Sequence, residues 1–241
     1  MSNTIKFAAT EMEREAIYRH RYDIYILELG KSHIPADHNR QLLADEADSS
    51  ADLLYAIVDG VVIGSTRMQR GASMLFSEAN KEIYETEAFA KALDPEKILI
   101  VDRLMVKPEH RRSRVTTELM INTYVFALNK GIKLGLINTE EKYLHLYLRF
   151  GFRVYGDPFN TALGECRYRM ALFLCDGRHL AKVNSPFLNY LSEAMDDQGA
   201  HFAAVRRLFG PCFVKCFRGF DKPICTCSRQ IASSSSKTVS V

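Results

Sequence analysis

Up to about residue 175 the chain switches between short runs of clustered or alternating apolar residues and longer runs in which they recur every three or four positions. This pattern predicts strands interleaved with helices. Ile5-Lys6-Phe7-Ala8 reads as an opening strand. Thr10 and Glu13 have the spacing of a capping box, so a helix is expected from there through Ile17, Tyr18, Tyr22, Ile24, Tyr25 and Leu29, with Gly30 at its end. Residues 53–58 and 61–68 are strand-forming runs on either side of Asp59-Gly60, a dipeptide suited to a hairpin turn. A polar, helix-favouring stretch at 77–93 is broken by Asp94-Pro95.

Ile98–Val106 is almost wholly apolar, as expected of a strand buried on both faces in the middle of a sheet. Asp102 and Arg103 interrupt it, and charge inside a buried strand needs a reason. After Pro108 the segment Glu109-His110-Arg111-Arg112-Ser113-Arg114 leads into a helix expected from Val115 or Thr116 to Asn129, stopped near Gly131. A strand at 132–138, a helix at 142–150, a turn at Gly151, a strand at 152–155 and a last strand at 167–174 complete the alternation. Beyond Asp176 the pattern changes: Ser185-Pro186 suits the start of a helix over 187–195, and 200–209 reads as a second. The expected organisation is a main domain over 1–180, a helical, cysteine-containing extension over 181–230, and a Ser-rich, disordered tail over 231–241.

Composition narrows the classes. At 241 residues, 47% hydrophobic and 25% charged, the chain is no disordered or fibrous protein and can bury a core without staples. A formal net charge of +3 is too balanced for a protein dominated by phosphate-backbone binding, so a nucleic-acid partner is not expected and electropositive function must be local. No export signal and no transmembrane segment is legible, so a cytoplasmic location is expected, with Cys166, Cys175, Cys212, Cys216, Cys225 and Cys227 as reduced thiols. The last four lie within sixteen residues, where zinc could use four thiolates, yet they lack the paired spacing of a zinc site; idle thiols are the default and no metal is expected. His201 to Gly210 has basic and apolar positions at partly helical spacing, fitting either peripheral membrane contact or a helix that packs on the domain.

The most informative segment is the buried strand followed by the basic loop and the helix. A helix start offers unpaired amides and a positive dipole end, and Arg111, Arg112 and Arg114 add three cations there, which together make a phosphate seat. This stretch, Val106 through Leu119, resembles the strand–loop–helix segment of the GNAT acyltransferase superfamily, and Leu146-Tyr147-Leu-Arg-Phe-Gly151-Phe152 is similar to that superfamily's Leu-Tyr-x-x-x-Gly-Phe signature. Arg19-His-Arg21-Tyr-Asp-Ile-Tyr25, Gly64-Ser-Thr-Arg67-Met, Asp102-Arg103-Leu-Met-Val106, Gly151-Phe-Arg-Val-Tyr-Gly156 and Arg169-Met-Ala-Leu172 resemble pieces of the branch holding N-acyl amino acid synthases and acyl-homoserine-lactone synthases. The resemblance covers roughly residues 5–175. It implies an α+β fold: a mixed, mostly antiparallel central sheet flanked by helices.

Two departures bear on the reaction. Arg114 and Thr116 stand where the superfamily usually has glycine, whose lack of a side chain lets amides approach a pyrophosphate. A donor on an acyl carrier protein presents a single phosphodiester and an acidic surface, which three arginines suit. Lactone synthases carry a glutamate two residues before the position of Asp102, where this chain has Ile100.

The resemblance thus implies transfer of an acyl group, expected to be long, from an acyl-phosphopantetheine thioester on acyl carrier protein, or on coenzyme A, to the amino group of an amino acid or small amine, with no permanently bound cofactor. Donor binding is expected at Met105, Val106, Arg111, Arg112, Ser113, Arg114, Val115, Thr116 and Asn138, with carbonyl polarisation by amides around Met105 and Val106. Aminolysis needs a base for the amine and a proton donor at sulfur; Asp102 and Tyr147 are the candidates, with Arg103 binding an acceptor carboxylate or bracing the strands. Each has a plainer reading: Asp102 as an ion-pair partner, Tyr147 as a core aromatic, Asn138 as a capping residue. Arg21 and Arg67 either orient the acceptor or pair with acidic residues such as Asp23 or Asp48. The competing functions are an acetyl-CoA-dependent N-acetyltransferase and a non-catalytic carrier-binding module.

Overall fold

The capping box at Thr10 forms: Thr10 Oγ1 accepts the Glu13 amide at 3.2 Å, and the Glu13 carboxylate accepts the Thr10 amide at 3.0 Å. In the computed structural model, which describes residues 3–161 and 164–209, strand β1 (Thr4–Phe7) precedes helix α1 (Glu11–Tyr22). The expected helix does not stay α-helical to Leu29. It widens into a π-helix over Asp23–Glu28, and Leu29 N–H reaches back five residues to Ile24. Such wide turns reshape one helix face and recur at functional sites.

The hairpin forms around Asp59-Gly60, with β2 (Asp52–Val58) and β3 (Val61–Arg70) antiparallel. After a short helix α2 (Ala72–Leu75), the polar stretch at 77–93 becomes two short helices, α3 (Glu78–Tyr84) and α4 (Thr86–Ala90), because Glu85 between them adopts a left-handed φ of +54°. Strand β4 (Ile98–Val106) and helix α5 (Val115–Asn129) have their expected bounds. Next come β5 (Leu134–Thr139) and α6 (Leu144–Phe150), which Gly151 ends at φ +101°. The strand expected at 152–155 shrinks to β6 (Arg153–Val154). It is followed by β7 (Phe159–Asn160), which the sequence pattern does not show, and by β8 (Cys166–Phe173).

The strands form one sheet in the order β1-β2-β3-β4-β5-β8-β6, with β7 on the end of β8; β4 and β5 are parallel and the remaining neighbours antiparallel. One face packs on α5 and α6 through Leu54, Met68, Leu99, Leu119, Met170 and Leu172. The other is covered at one end by α1, through Ile17 and Tyr18 on Leu53 and Tyr55, and at the other by α2–α4.

Beyond β8 the chain stays on this core. Asp176 caps α7 (Gly177–Lys182) and pairs with buried Arg153 at 2.6 Å. The helix expected over 187–195 is instead two 3₁₀ turns, Pro186–Tyr190 and Glu193–Met195: Ser185 caps the first, and Leu191 and Ser192 between them are extended, each turn closing on i→i+3 bonds. Phe187 stacks on Tyr124 of α5 with ring centroids 4.3 Å apart. Helix α8 (Ala200–Phe209) buries Val205 and sets Phe202 against Phe173, the packing alternative for this segment. No helix among the described residues is long and apolar enough to cross a membrane. Cys166 and Cys175 are free thiols; Cys212, Cys216, Cys225, Cys227 and the expected tail lie outside the described residues.

Gly64 sets the distance between β3 and α5. A Cβ there would lie 3.0 Å from Leu119 Cδ1, 3.0 Å from Val115 Cγ1 and 3.2 Å from Val106 Cγ2. Gly64→Ala is therefore expected to cost about 1–2 kcal/mol of stability by overpacking the helix start, read as a lowered urea midpoint at constant m. An unchanged midpoint would show that the helix start yields freely.

Candidate active site

Strands β4 and β5 pair only where Ile98, Leu99 and Ile100 meet Leu134, Gly135 and Leu136. Both continue, β4 to Val106 along β3 and β5 to Thr139 along β8, but no longer along each other, which leaves a wedge in the middle of the sheet. A bulge marks the parting. Arg67 opposes Asp102 and Ser65 opposes Met105, so Thr66 faces both Arg103 and Leu104, and Arg103 takes a left-handed φ of +50°. Bulges bend the strand that carries them, and a non-glycine residue held there is strained by about 1–3 kcal/mol, a cost usually met at functional sites.

The ladder also fixes which amides face the wedge. Lys107 N–H donates to Ile63 O on β3 at 2.9 Å. Because successive residues of a strand point their amides to opposite edges, Met105 also addresses β3, while Val106 turns its N–H and C=O towards the wedge. Arg111 Nε donates to that carbonyl at 3.0 Å. Val106 N–H is thus a donor at the edge that β5 leaves open.

At the mouth, the Ser113 hydroxyl donates to His110 O at 2.7 Å and accepts the Val115 amide at 3.2 Å, so it caps the start of α5. Thr116 and Thr117 keep first-turn amides with no partner among the described residues. The Val115 side chain is in the core, 3% exposed, leaving only its backbone at the mouth. The three arginines differ. Arg111 is held by Glu28 through two bonds of 2.5 and 2.6 Å, which raises its already high pKa. Arg112 and Arg114 are exposed and have no hydrogen bond or ion pair among the described residues.

Behind the wedge lies a charge network of three arginines and three aspartates. Arg21, fully buried, donates to Asp48 Oδ1 at 2.7 Å. Arg67 reaches the same oxygen at 3.3 Å, and grips Asp102 through Nε at 2.8 Å and Nη2 at 2.7 Å. Asp45 accepts from both Arg67 and Arg103. Gln69 Nε2 donates to Asp102 Oδ2 at 2.8 Å and is held by Asn80. The structure thus brings Arg21, Arg67, Asp102 and Arg103 together. Asp102 carries three donors, and since a carboxylate offers about four lone-pair sites, one remains on Oδ1.

Asn138 lies on the β5 side of the wedge and donates from Nδ2 to the Tyr84 hydroxyl at 2.8 Å. Tyr147, on α6, meets Phe152 edge to face at 5.4 Å; burial, with smaller contributions from Tyr143 and Tyr25, holds its hydroxyl protonated well above the usual tyrosine range. Asp45, Gln69, Glu28, Tyr84 and Arg167 belong to this surrounding too. Gln69 has a sequence signal, since Ser65, Arg67 and Gln69 are polar at alternate positions of a buried strand. Tyr84 and Arg167 have none, because their partners come from other elements.

The profile of the N-acyl amino acid synthase FeeM family matches residues 16–164, which hold the wedge, the charge network and the helix start. The chain belongs to that family. It is an acyltransferase of the FeeM and acyl-homoserine-lactone synthase type. No curated protein matches its sequence. Among solved structures, FeeM, an N-acyl amino acid synthase from uncultured soil microbes, superposes with a TM-score of 0.60 at 16% identity, over 79% of this chain and 99% of that one. BjaI, described as a CoA-dependent acyl-homoserine-lactone synthase, gives 0.59 at 18% identity, over 77% and 91%. The acyl-homoserine-lactone synthase LasI gives 0.56 at 17% identity, over 75% and 94%. At these identities the likeness establishes the fold.

The FeeM-family enzyme also buries His20 of α1 beside the Met105 backbone, with Lys107, Arg21 and Glu109 as its charged surroundings. Burial, reinforced by Lys107, brings its pKa down to about 4, against 6.5 for an unperturbed histidine. The folded state therefore binds fewer protons than the unfolded chain below pH 6.5, and stability falls as pH drops from there towards 4. The His20 share is expected to be about 2 kcal/mol lost by pH 5, so urea titrations at pH 7 and pH 5 should diverge less in His20→Gln than in the wild type. Equal divergence would show that His20 does not titrate with folding.

Proposed function

We propose that this enzyme moves a long-chain acyl group from an acyl-carrier-protein thioester to the amino group of an amino acid or small amine. The supporting observation is the mouth of the wedge: Arg112 and Arg114 are unpaired, exposed cations beside the open amides of Thr116 and Thr117. Charge-assisted contacts of that kind suit one phosphodiester, and an acidic carrier would be steered to the same place. The side chains of Arg114 and Thr116 crowd the close amide approach that a pyrophosphate uses.

In this reading the thioester carbonyl takes the Val106 N–H, which stabilises the oxygen as it becomes negative. The amine attacks the carbonyl carbon and gives a proton to Asp102, directly or through water. As the C–N bond forms and the C–S bond breaks, Tyr147 gives its proton to the departing thiolate. Arg111, braced on Glu28, holds Val106 in place.

The test is thioester consumption by the purified enzyme with long-chain acyl carrier protein, the matching acyl-CoA, and acetyl-CoA, each with amino acids and simple amines, the product being read by mass. The carrier-borne donor is expected to give the highest kcat/KM. Arg112→Ala with Arg114→Ala should raise its KM about tenfold at low ionic strength and flatten the salt dependence. Coenzyme A thioesters turning over faster, with KM indifferent to the two arginines, would transfer the assignment to the coenzyme.

A further inference from the structure

The amine acceptor of an acyl transfer brings its own charge, and the wedge shows where a negative one would go. Arg21, Arg67 and Arg103 each pair with an aspartate; Arg21 Nε and Nη2 and Arg103 Nε are left buried without partners, but inside a network already balanced by three aspartates. Arg169 is spent on backbone carbonyls, with Nε on Ile83 O at 2.6 Å and Nη1 on Asp157 O at 2.7 Å. Those bonds fix the face of β8 on which Arg169 stands: it is the face that carries α3. Residues two apart on a strand share a face, so Arg167 stands on it as well, one step towards the open end of the wedge. Asn138, directly opposite Arg169, points the same way and holds the Tyr84 hydroxyl at 2.8 Å.

Two donors in this corner have no acceptor among the described residues. Arg167 Nε is buried and unpaired, while its Nη2 is anchored by Glu165 at 2.7 Å and, more distantly, Glu140 at 3.5 Å. The Tyr84 hydroxyl, on a side chain 2% exposed, accepts from Asn138 and donates to nothing described. The field of Arg167 reaches the Tyr84 hydroxyl and, across the wedge, that of Tyr147. A buried donor left without an acceptor costs about 1–3 kcal/mol, so two in one corner suggest that a ligand completes them. The neighbouring Asp102 does not forbid an anion, because Arg67 and Gln69 already balance and occupy it.

We infer that Tyr84 and Arg167 are the residues that hold the carboxylate of an amino-acid acceptor, with the phenol and the guanidinium Nε each donating one hydrogen bond, so that its amine faces Val106 and Asp102. This assignment rests on the acyl transfer proposed above. Burial keeps the Tyr84 hydroxyl protonated, as a donor must be.

The test uses the full chain and its acyl donor with three acceptors: an amino acid, the methyl ester of that amino acid, and the amine left by its decarboxylation. The wild type should favour the free acid over the ester by about tenfold or more in kcat/KM. Tyr84→Phe and Arg167→Gln should each raise the KM for the acid about tenfold, leave the ester and the donor KM nearly unchanged, and draw the acid-to-ester ratio towards one; Arg167→Lys should restore part of it. Unchanged turnover of the ester per mole of enzyme, with the folded fraction taken from urea titration, shows that each variant is folded, and Tyr84→Phe keeps the buried ring. Wild-type enzyme that acylates acid, ester and amine equally well would overturn the subsite while leaving the transfer reaction intact. So would a preference abolished by Arg103→Gln yet kept by Arg167→Gln. Absence of N-acyl product from every acceptor and donor would overturn both readings.

Discussion

Arg67→Met is expected to cost about 3–5 kcal/mol of folding stability, enough to leave a marginal domain largely unfolded. The residue is 5% exposed and is the hub on which Asp45, Asp48 and Asp102 converge. Removing it strands Asp102 with Gln69 alone and leaves Asp48 to Arg21, whose own Nε and Nη2 are buried without partners. Arg67→Lys should fare little better, because an ammonium cannot hold both oxygens of Asp102 in a fork and reach Asp48 as well. The diagnostic comparison is Arg67→Met with Asp102→Asn. Deleting both partners removes the uncompensated charge, so the pair should lose less than the sum of the single losses in a urea double-mutant cycle. A loss below about 1 kcal/mol for Arg67→Met would mean that water reaches these carboxylates and the network is a surface feature.

What the sequence discloses here follows the range over which each interaction acts. The capping box of α1, the Asp59-Gly60 hairpin and the bounds of β4 and α5 rest on contacts a few residues apart or on one uniform burial pattern, and each stands where the pattern puts it. The break of the 77–93 stretch at Glu85 and the π-turns after Tyr22 depend on tertiary packing that helix propensity does not register. The candidate site divides in the same way. Arg111 to Arg114 announce themselves as a cluster, but that Glu28 takes one of them, 83 residues away, is visible only in the fold. Asp102 stands out as a charge in an apolar run, whereas its partner's partner Asp45, and Tyr84 and Arg167, sit in segments that look ordinary by themselves.

Asp102→Asn is expected to lower kcat about 100-fold with donor KM little changed, which sets its proposed role in the proton path apart from its structural one. The substitution keeps size and removes charge and basicity. It also turns one oxygen into an amide that must face Arg67 or Gln69, both donors, so some stability is lost as well. The two effects separate when kcat is expressed per folded molecule, with the folded fraction taken from urea titration under assay conditions. If Asp102 only braces Arg67, the corrected kcat stays near that of the wild type and the penalty resides in the midpoint. If its last open lone pair receives the amine's proton, the corrected kcat falls by the factor typical of a lost general base, 10²–10⁴. That loss should be largest at the pH where most of the acceptor is already a free amine, since protonation of the substrate no longer masks the step. Arg67→Met with Asp102→Asn then closes the argument: it should regain stability over Arg67→Met alone while remaining as slow as Asp102→Asn, because relieving a buried charge does not replace a base. Recovery of both together would reduce Asp102 to an anchor.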